Sequence, residues 1–199
     1  MTMPSAPGPA EPPPAYLDMP VGRFLDALSA ATPDPGGGAA AALAVALAAG
    51  LCAMTARLSG RQMPAATGIA ARAGLLGDHA GSLAQADAEA YRAVLTALRA
   101  PGRAGLPAAL SAACDVPMKV AEIGAGIATM AAAIAAGGNP NVRGDAITAA
   151  VLAAAGARSA AALVRINLAG VEGDERPARA EQLAAAAAGL AAQAEAEPR

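Results

Sequence analysis

Aromatic side chains are nearly absent from this chain: one Phe, two Tyr and no Trp, 2% of 199 residues. Histidine and cysteine are equally sparse. His79 stands alone beside Asp78 and between glycine-flanked neighbours, and Cys52 and Cys114 lack any CxxC spacing. One His and two isolated Cys leave no metal site and no disulfide framework to argue for, and no Ser-His-Asp or Cys-His arrangement has support. The thiols read as buried groups in a reducing compartment. Charge of one sign is lacking too: 14 Lys+Arg against 16 Asp+Glu give a net −2, with Lys119 the only lysine. That balance carries no electrostatic footprint for nucleic acid. No stretch shows alternating β-branched residues, so strands have no sequence support.

What is present is alanine, the best helix former and a poor strand residue, within a 55% hydrophobic composition. The expected fold is all-α, an up-and-down bundle of five to six helices whose small side chains let the axes approach closely. Alanine buries little area, so association into an oligomer would add burial that the single chain lacks. The length suits one domain. Residues 1–15 are proline-rich, without a basic region followed by an apolar core, and read as a disordered leader rather than a signal peptide. Residues 16–199 are then the helical domain, with a cytoplasmic location expected. Gly36 to Ala56 carries no charge and is long enough to span a bilayer. It is richer in Ala and Gly than in Leu and has no aromatic or basic flank, so a buried soluble helix is the expectation, with no membrane contact.

Along the chain, a short helix is expected over Val21–Ala30. Asp34 and Pro35 follow as an N-cap and first-turn pair for a long apolar helix from Gly37 to Leu58. Further helices are expected over Pro64–Arg99, weakened by Gly68, Gly74, Gly77 and Gly81, and over Leu106–Ala136 with a bend near Pro117. The last two are expected over Val142–Ala169 and Glu175–Ala196.

Several polar residues break this pattern. Leu76, Leu83, Asp87, Val94 and Leu98 are spaced seven, four, seven and four apart, one helical stripe, so Asp87 points inward with the leucines. A buried carboxylate either pairs, for example with an Arg, or has its pKa raised, as catalytic carboxylates do. Gly36, Gly37 and Gly38 open the longest apolar helix. Bare backbone amides there suit an anion or a ligand, and close helix crossing is the other reading. Neither a GK[ST] ending nor a preceding strand accompanies them, which excludes a P-loop and a dinucleotide fold. Asn139, Asn141 and Asp145 mark another helix start, where Asn141 suits a cap and Asp145 suits the helix dipole. Arg165 and Asn167 sit late in an apolar helix. There Arg165 either meets a carboxylate (Asp87, Asp145 or one on a substrate) or complements the helix C-terminus.

Taken in order, these segments resemble one family. Pro33-Asp34-Pro35-Gly36-Gly37-Gly38-Ala39-Ala40-Ala41 is similar to its P-T-P-G-G-G-S-A-A signature. Asp87-Ala88-Glu89-Ala90-Tyr91 is similar to its D-x-x-A-[FY] motif, and Val116-Pro117 to its kinked helix. Gly138-Asn139-Pro140-Asn141 with Asp145 resembles G-N-x-N-x-x-x-D, and Val164-Arg165-Ile166-Asn167-Leu168 its V-R-I-N-L ending. The family is that of the cyclodeaminase domain of formiminotransferase-cyclodeaminase and free-standing methenyltetrahydrofolate cyclohydrolases. The resemblance runs from about Pro20 to Gly170. The chain departs from it at Asp34, where Thr is usual, at Ala39, where Ser is usual, and at Arg61, in a stretch that usually contains Lys.

The resemblance implies a dimeric helical bundle that binds a tetrahydrofolate derivative as substrate, near the subunit interface and without a further cofactor or metal. Its two reactions are the hydrolysis of 5,10-methenyltetrahydrofolate to 10-formyltetrahydrofolate and the release of ammonia from 5-formiminotetrahydrofolate. Both pass through a tetrahedral carbon and move a proton. A carboxylate in a dry cleft serves either. Asp87 is the first catalytic candidate and Asp145 the second. Gly36, Gly37, Gly38, Asn139, Asn141, Arg165 and Asn167 are the expected substrate-binding residues. The free-standing chain favours the cyclohydrolase over the cyclodeaminase, with a non-catalytic folate-binding homologue as a further alternative.

Overall fold

The computed structural model describes residues 15–196. Seven α-helices follow in order: α1 (Val21–Ser29), α2 (Gly37–Arg57), α3 (Ala66–Arg99), α4 (Leu106–Ala113), α5 (Asp115–Gly137), α6 (Arg143–Asn167) and α7 (Arg176–Ala196). Short 3-10 turns lie at Tyr16–Asp18, Pro101–Arg103 and Pro140–Val142. No strand occurs among the described residues. Of the proposed leader, residues 1–14 lie outside the described residues.

The five long helices α2, α3, α5, α6 and α7 make the up-and-down bundle. Helix α2 packs against α3, α5 and α6, and α6 against α5 and α7. The core is alanine with a few larger fillers: Val45, Val120, Ile127, Ile134 and Val164 are all buried. Such a core holds only if the helix axes come close, and two glycines record how close. A Cβ on Gly156 of α6 would stand 2.5 Å from Val45 Cγ2 of α2, and one on Gly124 of α5 would stand 2.9 Å from the Ala153 carbonyl oxygen of α6. Small residues at these crossings trade side-chain burial for backbone proximity.

Local details depart from the sequence reading at four places. Asp34 does not cap α2; Gly36 is the N-cap residue, and no side-chain cap bond forms. The Asp34 carboxylate instead takes the Tyr16 hydroxyl and faces Arg92. The glycines of α3 do not break it, because packing against α2 and α5 outweighs a propensity cost of about 1 kcal/mol each. The expected run over Leu106–Ala136 divides at Cys114, which places Pro117 in the first turn of α5, where its missing N–H has no helical partner to lose.

At the α5–α6 connection the capping side chain is Asn139, not Asn141: its Oδ1 accepts from the Asn141 N–H at 3.0 Å. Asn139 also donates from Nδ2 to the Leu58 carbonyl at 3.0 Å, and from its backbone N–H to Ser59 Oγ at 2.9 Å. Ser59 is fully buried and donates to the Thr55 carbonyl, so this corner ties α2 to α6. Arg176 ties α7 to the α4–α5 junction through Ser111 and Asp115.

By length and composition, three segments are apolar enough to cross a membrane: Gly37–Arg57, Leu106–Gly137 and Pro140–Asn167. About half of each is buried inside the bundle.

Candidate functional site

One end of the bundle opens into a cleft of about 360 Å³. Its walls come from the Pro33–Gly38 segment, the middle of α3, the end of α4 and the end of α6. Asp87, Tyr91, Val94, Leu110, Leu163, Ile166 and Asn167 contribute side chains. The lining is largely apolar, with a few polar groups converging on it, as small-molecule sites are built.

Asp87 is half-buried on α3, and its carboxylate rests on Gly38 of α2. A Cβ on Gly38 would lie 2.0 Å from Oδ1 and 2.3 Å from Oδ2, so only glycine admits the carboxylate here. The Ala39 N–H donates a hydrogen bond to it. The amide-rich N-terminus of α2 therefore serves the chain's own anion, a place where helix dipole and free amides favour negative charge. Burial nevertheless pushes the Asp87 pKa above the ordinary carboxylate value. The Ala39 hydrogen bond opposes that shift, and the nearby Asp34 charge adds to it. A proton on this group is thus held more tightly than on a solvated aspartate, which is what proton transfer near neutral pH asks for.

Asp34 shares the cleft. One oxygen accepts the Tyr16 hydroxyl, and the other lies 3.4 Å from Arg92 Nη1. Tyr16 packs edge-on against Phe24 with ring centroids 5.6 Å apart. Burial and the Asp34 carboxylate raise the Tyr16 pKa, so it remains a neutral donor. Asn167 lines the opposite wall and hydrogen-bonds Cys114, whose thiol pKa is raised chiefly by burial.

Of the residues singled out in the sequence, Gly36, Gly37, Gly38, Asp87 and Asn167 meet in this cleft. Asp145 does not line it. It is exposed in the first turn of α6, and Asn167 is in the last, about 33 Å away at 1.5 Å per residue. Asn139 is engaged in the α5–α6 corner, with Asn141 exposed beside it. Arg165 points to solvent and lies 3.8 Å from Glu181 of α7 rather than facing the cleft. Two side chains at the cleft were not among the expected site residues, although Tyr91 stands in the D-x-x-A-[FY] motif. Tyr91 is four residues after Asp87 and so on the same helix face, a signal that was available. The contact of Tyr16 with Asp34 joins positions 18 apart through an irregular segment and has no sequence signal.

The fold and the cleft define a class: an all-helical protein that seats one half-buried carboxylate on a glycine-opened helix start, facing a pocket of small-molecule size. A family model described as formiminotransferase-cyclodeaminase matches residues 20–188, and the chain belongs to that family. It is 34% identical over 176 residues to a methenyltetrahydrofolate cyclohydrolase of Methylorubrum extorquens, an alignment spanning 80% of this chain and 83% of the relative. Its fold is similar to the crystal structure of formiminotetrahydrofolate cyclodeaminase from Thermotoga maritima, with TM-score 0.81 and 25% identity, covering 90% of this chain and 95% of that one.

Proposed function

We propose that this protein hydrolyses 5,10-methenyltetrahydrofolate to 10-formyltetrahydrofolate, with Asp87 as the proton-transfer group. The observation that carries the reading is the Asp87 carboxylate on Gly38 at the head of the cleft, in a chain 34% identical to a cyclohydrolase. Asp87 accepts a proton as water adds to the cationic one-carbon centre between N5 and N10. It returns the proton to N5 as the C–N5 bond breaks, and the hydroxyl proton leaves to solvent as the formyl group forms on N10. The carboxylate also stabilises the cation before attack. Asn167 is placed to hydrogen-bond the ligand. Ammonia release from 5-formiminotetrahydrofolate is the second reading, supported by the fold of the Thermotoga protein. The deciding assay follows loss of methenyl absorbance, in a buffer where spontaneous hydrolysis is slow, with Asp87→Asn as control. Acceleration by wild type alone supports the first reading; ammonia release without methenyl hydrolysis replaces it with the second.

The working form is a cytoplasmic, membrane-free homodimer that needs no cofactor. Ala40, Ala44, Leu47, Leu51 and Met54 of α2, and Leu58 at its C-cap, recur at three- and four-residue spacing. Asp145, Thr148, Val151, Ala155, Ser159, Ala162 and Ile166 do the same on α6. Leu47 is 66% exposed and Ile166 63%, and between the two stripes runs a groove of small residues that adjoins the cleft at Gly37 and Leu163. A second copy is the occupant that suits such a face. A two-fold axis near the middle of α6, at Ala155, would set the partner's Asp145 against the cleft end of this α6. The second candidate carboxylate would then act in trans.

A further inference from the structure

The cleft holds a second carboxylate that the proposed reaction has not used. We propose that Asp34 is a specificity-determining residue, fixed by Tyr16 and Arg92 so that its negative charge selects the cationic one-carbon unit of the substrate over the neutral formyl group of the product; this rests on the cyclohydrolase reading above.

Three observations carry it. First, Asp34 and Asp87 line the same cleft from different elements, the segment before α2 and the middle of α3. Secondly, Asp34 is held in place rather than left to turn to solvent. The Tyr16 hydroxyl donates to Oδ1, Phe24 backs the Tyr16 ring, and Leu17 next to it lies over Gly81 of α3, 3.1 Å from where a Cβ would stand. Thirdly, its charge is only partly offset. Tyr16 is a neutral donor, and Arg92, 3.4 Å away, is half-exposed, where solvent screens it. Within one subunit the other walls add no charge. Helix α2 presents glycines, α4 presents Leu110 and Ala113, α6 presents Leu163, Ile166 and the neutral Asn167, and Tyr91 is the remaining titratable side chain on α3.

Hydrolysis removes the positive charge from the one-carbon unit. A fixed anion that does not itself transfer the proton therefore binds substrate better than product. It also works on Asp87: the Asp34 charge makes the Asp87 proton harder to lose until a cation arrives. Binding of the cation and activation of the base are thereby linked.

The test compares wild type with Asp34→Asn and, in case the asparagine variant folds poorly, Asp34→Thr. The readouts are KM for 5,10-methenyltetrahydrofolate, the inhibition constant of 10-formyltetrahydrofolate, and the acid limb of kcat/KM against pH. Loss of the charge should raise KM about fivefold to tenfold. It should leave the inhibition constant within about twofold and move the acid limb to lower pH. Asp34→Glu should restore part of the preference. If wild type hydrolyses the substrate while the neutral variants keep the same KM-to-inhibition ratio and the same acid limb, Asp34 has no such role. A wild type that does not hydrolyse it overturns the underlying reading instead.

Discussion

The Asp87 carboxylate occupies the space a side chain at Gly38 would need, with Oδ1 2.0 Å from the position of a Cβ. The glycine triplet thus accommodates the chain's own anion as well as bounding the cleft. Gly38→Ala should displace the carboxylate by more than an ångström and lower kcat by about a hundredfold. Circular dichroism should show unchanged helix content. A variant with near-normal kcat would mean that the position of Asp87 does not matter to the chemistry.

Asp87→Asn should abolish turnover and at the same time stabilise the fold. A carboxyl whose folded pKa is raised loses stability as pH climbs from its unfolded value through its folded one. The asparagine variant should therefore melt higher than wild type at pH 7 to 8, with the gain shrinking below about pH 4, where both side chains are neutral. The amide oxygen still accepts from Ala39. Equal melting temperatures across that range would show that burial costs the native aspartate nothing.

Asn139→Ala should cost about 1 to 2 kcal/mol of stability while leaving KM unchanged. Its side chain bonds the Leu58 carbonyl and the Asn141 N–H, both within the fold. A raised KM with an unchanged melting temperature would return Asn139 to the ligand.

If the dimer brings the partner's Asp145 to each cleft, Asp87→Asn and Asp145→Asn subunits should complement. Each alone is expected to be nearly inactive. Unfolded together and refolded, they should recover about a quarter of wild-type activity, from the one intact site in each mixed dimer. Leu47→Glu, in the same face, should yield monomers on light scattering. An Asp145→Asn protein of full activity would leave Asp87 as the only catalytic carboxylate.

Overfilling a helix crossing gives the cleanest stability test. Gly156→Val should lower stability by about 1 to 3 kcal/mol or more, since even a Cβ would meet Val45 Cγ2 at 2.5 Å. An unchanged melting temperature would mean α2 and α6 can separate freely.

Much of the fold was legible in the sequence. Alanine content and apolar spacing gave the long helices to within a few residues, because helix propensity and a 3.6-residue period are local properties. The stripe containing Asp87 placed that residue inward for the same reason. The caps were less legible. Asp34 and Asn141 have good capping chemistry, yet Asp34 is engaged by Tyr16 and Arg92, and Asn139 caps the 3-10 turn ahead of α6, which itself starts without a side-chain cap. Competing partners distant in the chain leave no trace in local pattern.

Asp145 and Arg165 mark the same boundary more sharply. Both stand in recognisable motifs, but α6 is a rigid rod that sets its first turn about 33 Å from its last. The sequence by itself determined which segments are helical, which faces are apolar, and that one carboxylate must point inward. Only the tertiary structure decided which helix ends meet. It put the start of α2, the middle of α3 and the end of α6 around one cleft, and it left Asp145 at the far end. The reason is physical: helix formation is governed by neighbours three and four residues away, whereas the cleft is made where close-packed alanine and glycine crossings allow separate helices to approach.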